Sequence, residues 1–243
     1  MQHLGQTRSS RQPDHMLLTP DTFVRAPLPG MTNATAIVHA SPAMGAAFTQ
    51  YTVEFSAGGT LAPCVAQRFL YVLEGEIEVQ DDQQEHHLTA DGYAYLPAGS
   101  AVRISSIGQA RAQVIEKPYV PLPGLETIKL KMLVGDETII KPKPLDGCPG
   151  LEVCILLPED SVFDFAVNTM TYQPGAALNM VEAHVMEHGL LMLAGGGIYR
   201  LGDRWYSVAA GDFIWMAPWC PQWFGALGQQ PAKYLIYKDW NRY

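Results

Sequence analysis

The chain has 243 residues, 48% apolar and 16% charged, with mean hydropathy near zero, which is enough for a substantial buried core in an ordinary globular protein. A net charge of −8 and a pI near 5.3, with no basic run, exclude a surface built to track nucleic-acid phosphates. No apolar run reaches the roughly 18 residues of a spanning helix, and the four cysteines, at 64, 148, 154 and 220, show neither CxxC spacing nor the density of a disulfide scaffold, so a reducing, cytoplasmic setting is expected.

Residues 1–15 are polar and carry Arg8 and Arg11 without a following apolar segment, which reads as an arm rather than a signal peptide. Residues 16–35 hold Pro20, Pro27, Pro29, Gly30 and Asn33 and extend that irregular arm to residue 35. Alternating patterns then predict strands over 36–39, 51–55, 69–73, 77–79, 87–88, 92–96 and 112–116, separated by Gly and Pro turns. Short strands spaced in this way indicate an all-β sandwich or barrel, here over 36–120. Residues 121–150 hold Pro121, Pro123, Pro142, Pro144 and Pro149 around one predicted strand at 128–133, and read as an interdomain connection.

The second half, 151–243, predicts strands at 163–167, 170–172, 190–193, 198–199, 211–216 and 233–237. It repeats the first half. Phe69-Leu-Tyr-Val-Leu-Glu-Gly75 lies over Gly189-Leu-Leu-Met-Leu-Ala-Gly195 with a shift of 120 residues, and Gly92 lies over Gly211 with a shift of 119. Two copies of one β-domain follow.

Within the second copy, Glu182-Ala-His184-Val-Met-Glu187-His188-Gly189 gathers two imidazoles and two carboxylates into seven positions, in a chain with only 7 histidines. A lone His in such a place is more often satisfied by a backbone carbonyl, but the cluster has the donor types that metals need. On a strand Glu182 and His184 would share a face, with His188 joining them after a bend. Glu187 would face the other way. A mixed set of carboxylate and imidazole donors suits a hard or borderline divalent ion such as Mn²⁺, with Zn²⁺ also possible.

Each copy resembles a cupin, so the resemblance implies two tandem double-stranded β-helix (jelly-roll) barrels, a bicupin. In the second copy Gly175, Glu182, His184, His188 and Gly195 stand for the first cupin motif, and Gln222 follows Gly211 where the second motif would place its ligand. The first copy has Ala62, Cys64 and Arg68 at the ligand positions and is expected to hold no metal. Glu-x-His-x-x-x-His followed by Gln, with Tyr234-x-x-x-Lys238-Asp-x-Asn241-Arg242 near the end, resembles the (S)-ureidoglycine aminohydrolase family. That resemblance implies a Mn²⁺-dependent enzyme that converts (S)-ureidoglycine and water to (S)-ureidoglycolate and ammonia in allantoin and purine breakdown. It implies Glu182, His184, His188 and Gln222 as metal ligands, Glu182, Tyr199, Tyr234 and Lys238 as substrate contacts, and Glu182 and Lys238 as catalytic. A homo-oligomer acting on a small ureido amino acid, without nucleic-acid or membrane partners, is expected.

The chemistry agrees with these donors. Ammonia loss needs a proton carrier beside the leaving amine, a part that Glu182 can play, and Lys238 can pair with the substrate carboxylate. Taken alone, Tyr199, Tyr234 and Lys238 read as barrel lining, and Gln222 as a packing residue. His86 and His87 beside Asp81-Asp82 read as a solvated hairpin, and Trp205, Trp215, Trp219, Trp223 and Trp240 as core and interface. Another cupin enzyme, such as a dioxygenase or isomerase, and a non-catalytic ligand-binding bicupin remain as alternatives, because a fold does not settle a reaction.

Overall fold

The structure, a computed structural model, describes residues 6–145 and 147–240. The chain is all-β. Among the described residues its only helical turns are short 3-10 segments at Pro20–Thr22, Pro42–Met44 and Glu137–Ile139, and no helix is long and apolar enough to cross a membrane.

The chain divides into two compact units, Val24–Ile140 and Met1–Phe23 with Lys141–Tyr243. In the first, an antiparallel sheet runs Leu133–Asp136, Gly92–Leu96, Gln67–Glu74, Ala110–Lys117, Thr49–Leu61, Arg103–Ser106, Ile77–Gln80, Glu85–Leu88, with Met31–Ala40 alongside Thr49–Leu61. Thr49–Leu61 curls the sheet into a barrel: its first half pairs with Ala110–Lys117 and its end, at Thr60 and Leu61, with Arg103–Ser106. Alternate residues point inward, so Tyr51, Val53 and Phe55 meet Leu70, Val72, Ala112 and Val114 in one core. Each fully buried aliphatic side chain there contributes roughly 1.5–3 kcal/mol.

In the second unit the sheet order is Ser10–Arg11, His15–Leu18, Phe213–Met216, His188–Ala194, Ala232–Asp239, Phe165–Tyr172, Cys148–Ile155, Lys143–Leu145. Arg204–Ala209, Gly196–Leu201 and Gln222–Ala226 form a smaller sheet, and its inward side chains Tyr199, Leu201, Val208 and Phe224 join the core of Leu190, Met192, Tyr172, Tyr234 and Ile236.

The internal repeat extends to the register. Arg68 pairs with Leu96 and His188 with Met216; Phe69 pairs with Tyr95 and Gly189 with Trp215. Both copies also carry a bulge just before a turn glycine, at Leu73 and at Leu193. Gly75 and Gly195 follow with φ of 78° and 64°, and a Cβ on either would lie 2.3–2.4 Å from a backbone carbonyl oxygen, so no other residue fits.

Several expected boundaries are corrected. The N-terminal arm is not one irregular segment: His15–Leu18 adds to Phe213–Met216 and buries Met16 and Leu17, which places residues 6–23 with the second unit. Residues 1–5 lie outside the described residues. The strand expected at 36–39 begins at Met31 and runs to Ala40, because Met31 and Thr32 still find partners at Leu61 and Thr60, and the short strand Arg25–Ala26 pairs with it from the stretch expected to be irregular. The strand expected at 128–133 falls instead at Leu133–Asp136, where Gly92–Leu96 offers a free edge. The strands expected at 163–167 and 170–172 are one strand, Phe165–Tyr172, paired throughout with Ala232–Asp239.

Candidate metal centre and its cavity

Glu182 and His184 do not lie on a regular strand, in contrast to the local expectation. Residues 179–187 are irregular, and Glu182 makes a single two-way bridge in which its N–H and C=O each bond with Gln222 at 2.8 Å. Trp219 completes the clamp: it adopts φ of +66°, rare for a bulky side chain, and donates its N–H to the His184 carbonyl at 2.6 Å. His188 then opens the strand His188–Ala194. The unusual Trp219-Cys220-Pro221 approach therefore sets Gln222 directly beside Glu182.

All four side chains line one cavity of about 500 Å³ within the second unit, a size suited to a small molecule. His184 Nε2 lies 3.1 Å from Glu182 Oε2, and the His184 and His188 rings are 5.6 Å apart at 73°. A spacing near 3 Å is what two adjacent ligands, each about 2.1 Å from one ion, would have. Burial, reinforced by Lys238 and His184, pushes His188 down to about 3, so the ring is neutral and able to ligate. Its Nδ1 is buried without a well-formed hydrogen bond. The donor set fits a divalent cation.

Tyr234 and Lys238 also line the cavity, two steps to either side of Ile236 on the last strand. Lys238 is half-buried and makes no ion pair or hydrogen bond among the described residues; desolvation lowers its pKa, while Glu182 and Glu159 raise it. Glu182 and Glu159 act on this ammonium only from a distance, and no carboxylate forms an ion pair with it among the described residues. The Tyr234 hydroxyl shares a hydrogen bond with that of Tyr172 at 2.8 Å, in which either can donate, and otherwise reaches only the weakly accepting Met170 sulfur, at 3.2 Å. Its proton is free to turn toward a better acceptor. Tyr199 is not among the residues lining the cavity. It stands behind Gln222 and donates to its Oε1 at 3.1 Å, and Phe224 packs against Tyr172, Tyr199 and Tyr234 together.

Local reading of the sequence missed Tyr172, Asn168 and Glu159. Asn168 fell in the gap between two expected strands, although it is the polar member of an inward series with Met170 and Tyr172. Glu187 does not line the cavity; it is buried beside His188 and accepts from Trp215 Nε1 at 2.6 Å. Among the tryptophans, Trp215 is core, whereas Trp205 and Trp219 are exposed. Asn241 and Arg242 lie outside the described residues.

Two other donor clusters occur among the described residues. Asp14, His15 and Cys220 converge, but both His15 ring nitrogens are engaged, with Asp14 and Tyr206 at 2.8 Å each, and burial pushes the Cys220 thiol up to about 11. That cluster ties the N-terminal segment to the loop before Gln222, with Asp14 O accepting from the Ala217 N–H. Glu78, Glu85 and His87 form an exposed hairpin group, as expected of a solvated turn.

Residues 43–119 match the EutQ-like cupin domain family and residues 168–237 the Cupin domain family. An (S)-ureidoglycine aminohydrolase of Arabidopsis thaliana is 42% identical over 98% of this chain and 80% of its own length. One from Escherichia coli strain K12 is 30% identical over 93% of this chain and 88% of its own. The chain belongs to the (S)-ureidoglycine aminohydrolase family. The crystal structure of protein YlbA from E. coli superposes with a TM-score of 0.85 at 27% identity, covering 98% of this chain and 96% of that one.

In this family member the two barrels differ at the corresponding place. Arg68 pairs with Glu116 across strands as His188 pairs with Lys238. Arg68 Nη2 lies 2.6 Å from Glu116 Oε1, its Nη1 donates to Ala62 O, and Tyr51 donates to the same carboxylate at 2.9 Å. An ion pair holds that barrel end together. Arg68→Ala is expected to lower stability by about 3–5 kcal/mol, because it leaves a largely buried carboxylate unpaired. Arg68→Met combined with Glu116→Leu should recover most of that loss, short of what the Tyr51 hydroxyl then lacks. Urea unfolding checks both; a single variant as stable as the parent would show that the pair holds nothing.

Proposed function

We propose that the second unit hydrolyses (S)-ureidoglycine to (S)-ureidoglycolate and ammonia as part of purine breakdown, with Glu182, His184, His188 and Gln222 holding a divalent cation. The observation that carries this reading is an ammonium, Lys238, with no ion-pair partner among the described residues, facing a mixed carboxylate, amide and imidazole donor set within one cavity. Such a cavity suits a small anion that also ligates a metal. Mn²⁺ is the ion we assign, from the hard and borderline donors and the absence of thiolate among them.

Lys238 binds the substrate carboxylate and fixes the α-carbon at the donor set. Glu182 would help to hold the cation, and its carboxylate can take a proton from water and return it to the departing amine. Tyr234 turns its hydroxyl from the Met170 sulfur to the substrate, and the neighbouring Tyr172 hydroxyl, 2.8 Å away and able to donate, supports it. Tyr199 keeps the Gln222 amide oriented, so its effect on substrate passes through Gln222. The bound cation supplies Lewis acidity at the reacting carbon's substituents.

A cytoplasmic setting is supported by four free cysteines, and a homo-oligomer by exposed Met180, Trp205 and Trp219. The test is ammonia release from freshly prepared ureidoglycine by protein loaded with Mn²⁺. Release above the spontaneous rate, lost on chelation and regained with Mn²⁺, is expected. Fully metallated protein that leaves the spontaneous rate unchanged would overturn the reading in favour of another cupin chemistry.

A further inference from the structure

The cavity wall is polar on one side and apolar on the other. Lys238 sits on the last strand between His188, on the neighbour that opens the donor set, and Ala166, on the strand Phe165–Tyr172. Moving along that second neighbour, Asn168 pairs with Ile236 on one side and Ile155 on the other, with Met170 next on the same face. Asn168 is thus an amide set in an aliphatic wall. It lines the cavity, it is half-buried, and its side chain has no hydrogen-bond partner among the described residues. A half-buried primary amide among aliphatic side chains, with no protein partner, is a poor choice for packing alone, since it gives less apolar contact than an aliphatic residue and leaves its donor and acceptor to water or a ligand.

We propose that Asn168 recognises the ureido group of the substrate and sets the specificity of the cavity for it. This rests on the function proposed above, and it follows from what the other polar groups leave over. The donor set and Lys238 account for the reacting carbon and the carboxylate. The ureido tail, H₂N–CO–NH–, then points away from His188, toward the strand of Asn168. Its outer edge offers a carbonyl acceptor beside an N–H of the terminal NH₂. An asparagine amide presents the complementary pair, Nδ2 donating to that carbonyl and Oδ1 accepting from that N–H. Geometry allows the reach: Asn168 lies one strand across and two residues along from Lys238, roughly 8 Å between α-carbons, and the substrate spans four bonds from carboxylate carbon to terminal nitrogen. Glu159, exposed at the rim of the same cavity, is placed to accept the other terminal N–H.

Two stable probes isolate this contact without turnover. N-carbamoylglycine carries the ureido group and carboxylate, whereas N-acetylglycine replaces the terminal NH₂ with a methyl. Binding to the Mn²⁺-loaded protein, measured by calorimetry, should favour the carbamoyl compound by about 10- to 100-fold. Asn168→Leu should bring that ratio close to one, with unchanged metal content and melting temperature, and should raise KM for ureidoglycine more than it lowers kcat. Asn168→Ala serves if the leucine variant folds poorly. A preference retained in both variants, no preference in the parent, or an unaltered KM would overturn the assignment. The two readings fail separately. Parent protein that releases no ammonia yet shows an Asn168-dependent preference would refute the reaction and keep the ureido site. Normal turnover with no such preference would do the reverse.

Discussion

His188→Ala is expected to remove metal retention and turnover together while the barrel stays folded. The side chain is 2% exposed, held neutral by burial, and stands at the first residue of a strand whose next four positions are buried. The strand pairs on both sides, with Met216 and with Lys238, through the backbone, so deleting the imidazole leaves the ladder intact. The cation loses one of the two nitrogen donors in the set. Groups that merely orient a ligand cost roughly 10- to 100-fold in metal affinity when removed, and loss of the ligand itself should exceed that. Metal analysis after gel filtration, beside an ammonia assay, reads the outcome. Stoichiometric metal and normal turnover in the variant would place the centre elsewhere, and loss of metal in Arg68→Met would move it to the other barrel.

Glu182→Gln separates ligation from proton transfer. The amide keeps the size and one coordinating oxygen, and the backbone bridge to Gln222 is untouched, so the cation should remain, bound more weakly. What disappears is a group able to accept a proton at neutral pH. General acid–base groups contribute about 10²–10⁴-fold, and a fall of that size in kcat with metal still bound is the expected result. A fall in kcat that merely tracks metal loss would make Glu182 a ligand alone and leave proton transfer to water or Tyr234. No change in either quantity would remove Glu182 from the site.

Much of the site was visible in the chain because its parts are close in sequence. Glu182, His184 and His188 are donor types that packing rarely concentrates, and the 120-residue repeat placed Arg68 over His188 before any strand was paired. Tyr234 and Lys238 follow from period two on a strand, since residues four apart share a face. Where local reading failed, the deciding partner was distant. His15–Leu18 reads as arm because its pairing strand lies about 200 residues away. Asn168 reads as a gap because nothing nearby reveals that its backbone pairs on both sides and that its face is the inside of a barrel.

The all-β class, the doubling and the gathering of carboxylate and imidazole donors in the second copy are legible in the chain, because periodicity and side-chain identity are local properties. How those side chains meet depends on contacts between segments distant in the chain. Glu182 comes to Gln222 through a two-residue bridge, not a continuous strand, and His184 is held by the backbone of Trp219 in a left-handed conformation. Tyr199 stands behind a ligand while Tyr234 faces the cavity, a difference that alternation cannot foresee because both point inward. Which inward side chain reaches the cavity depends on depth in the barrel, and depth is set by closure among strands far apart in the chain.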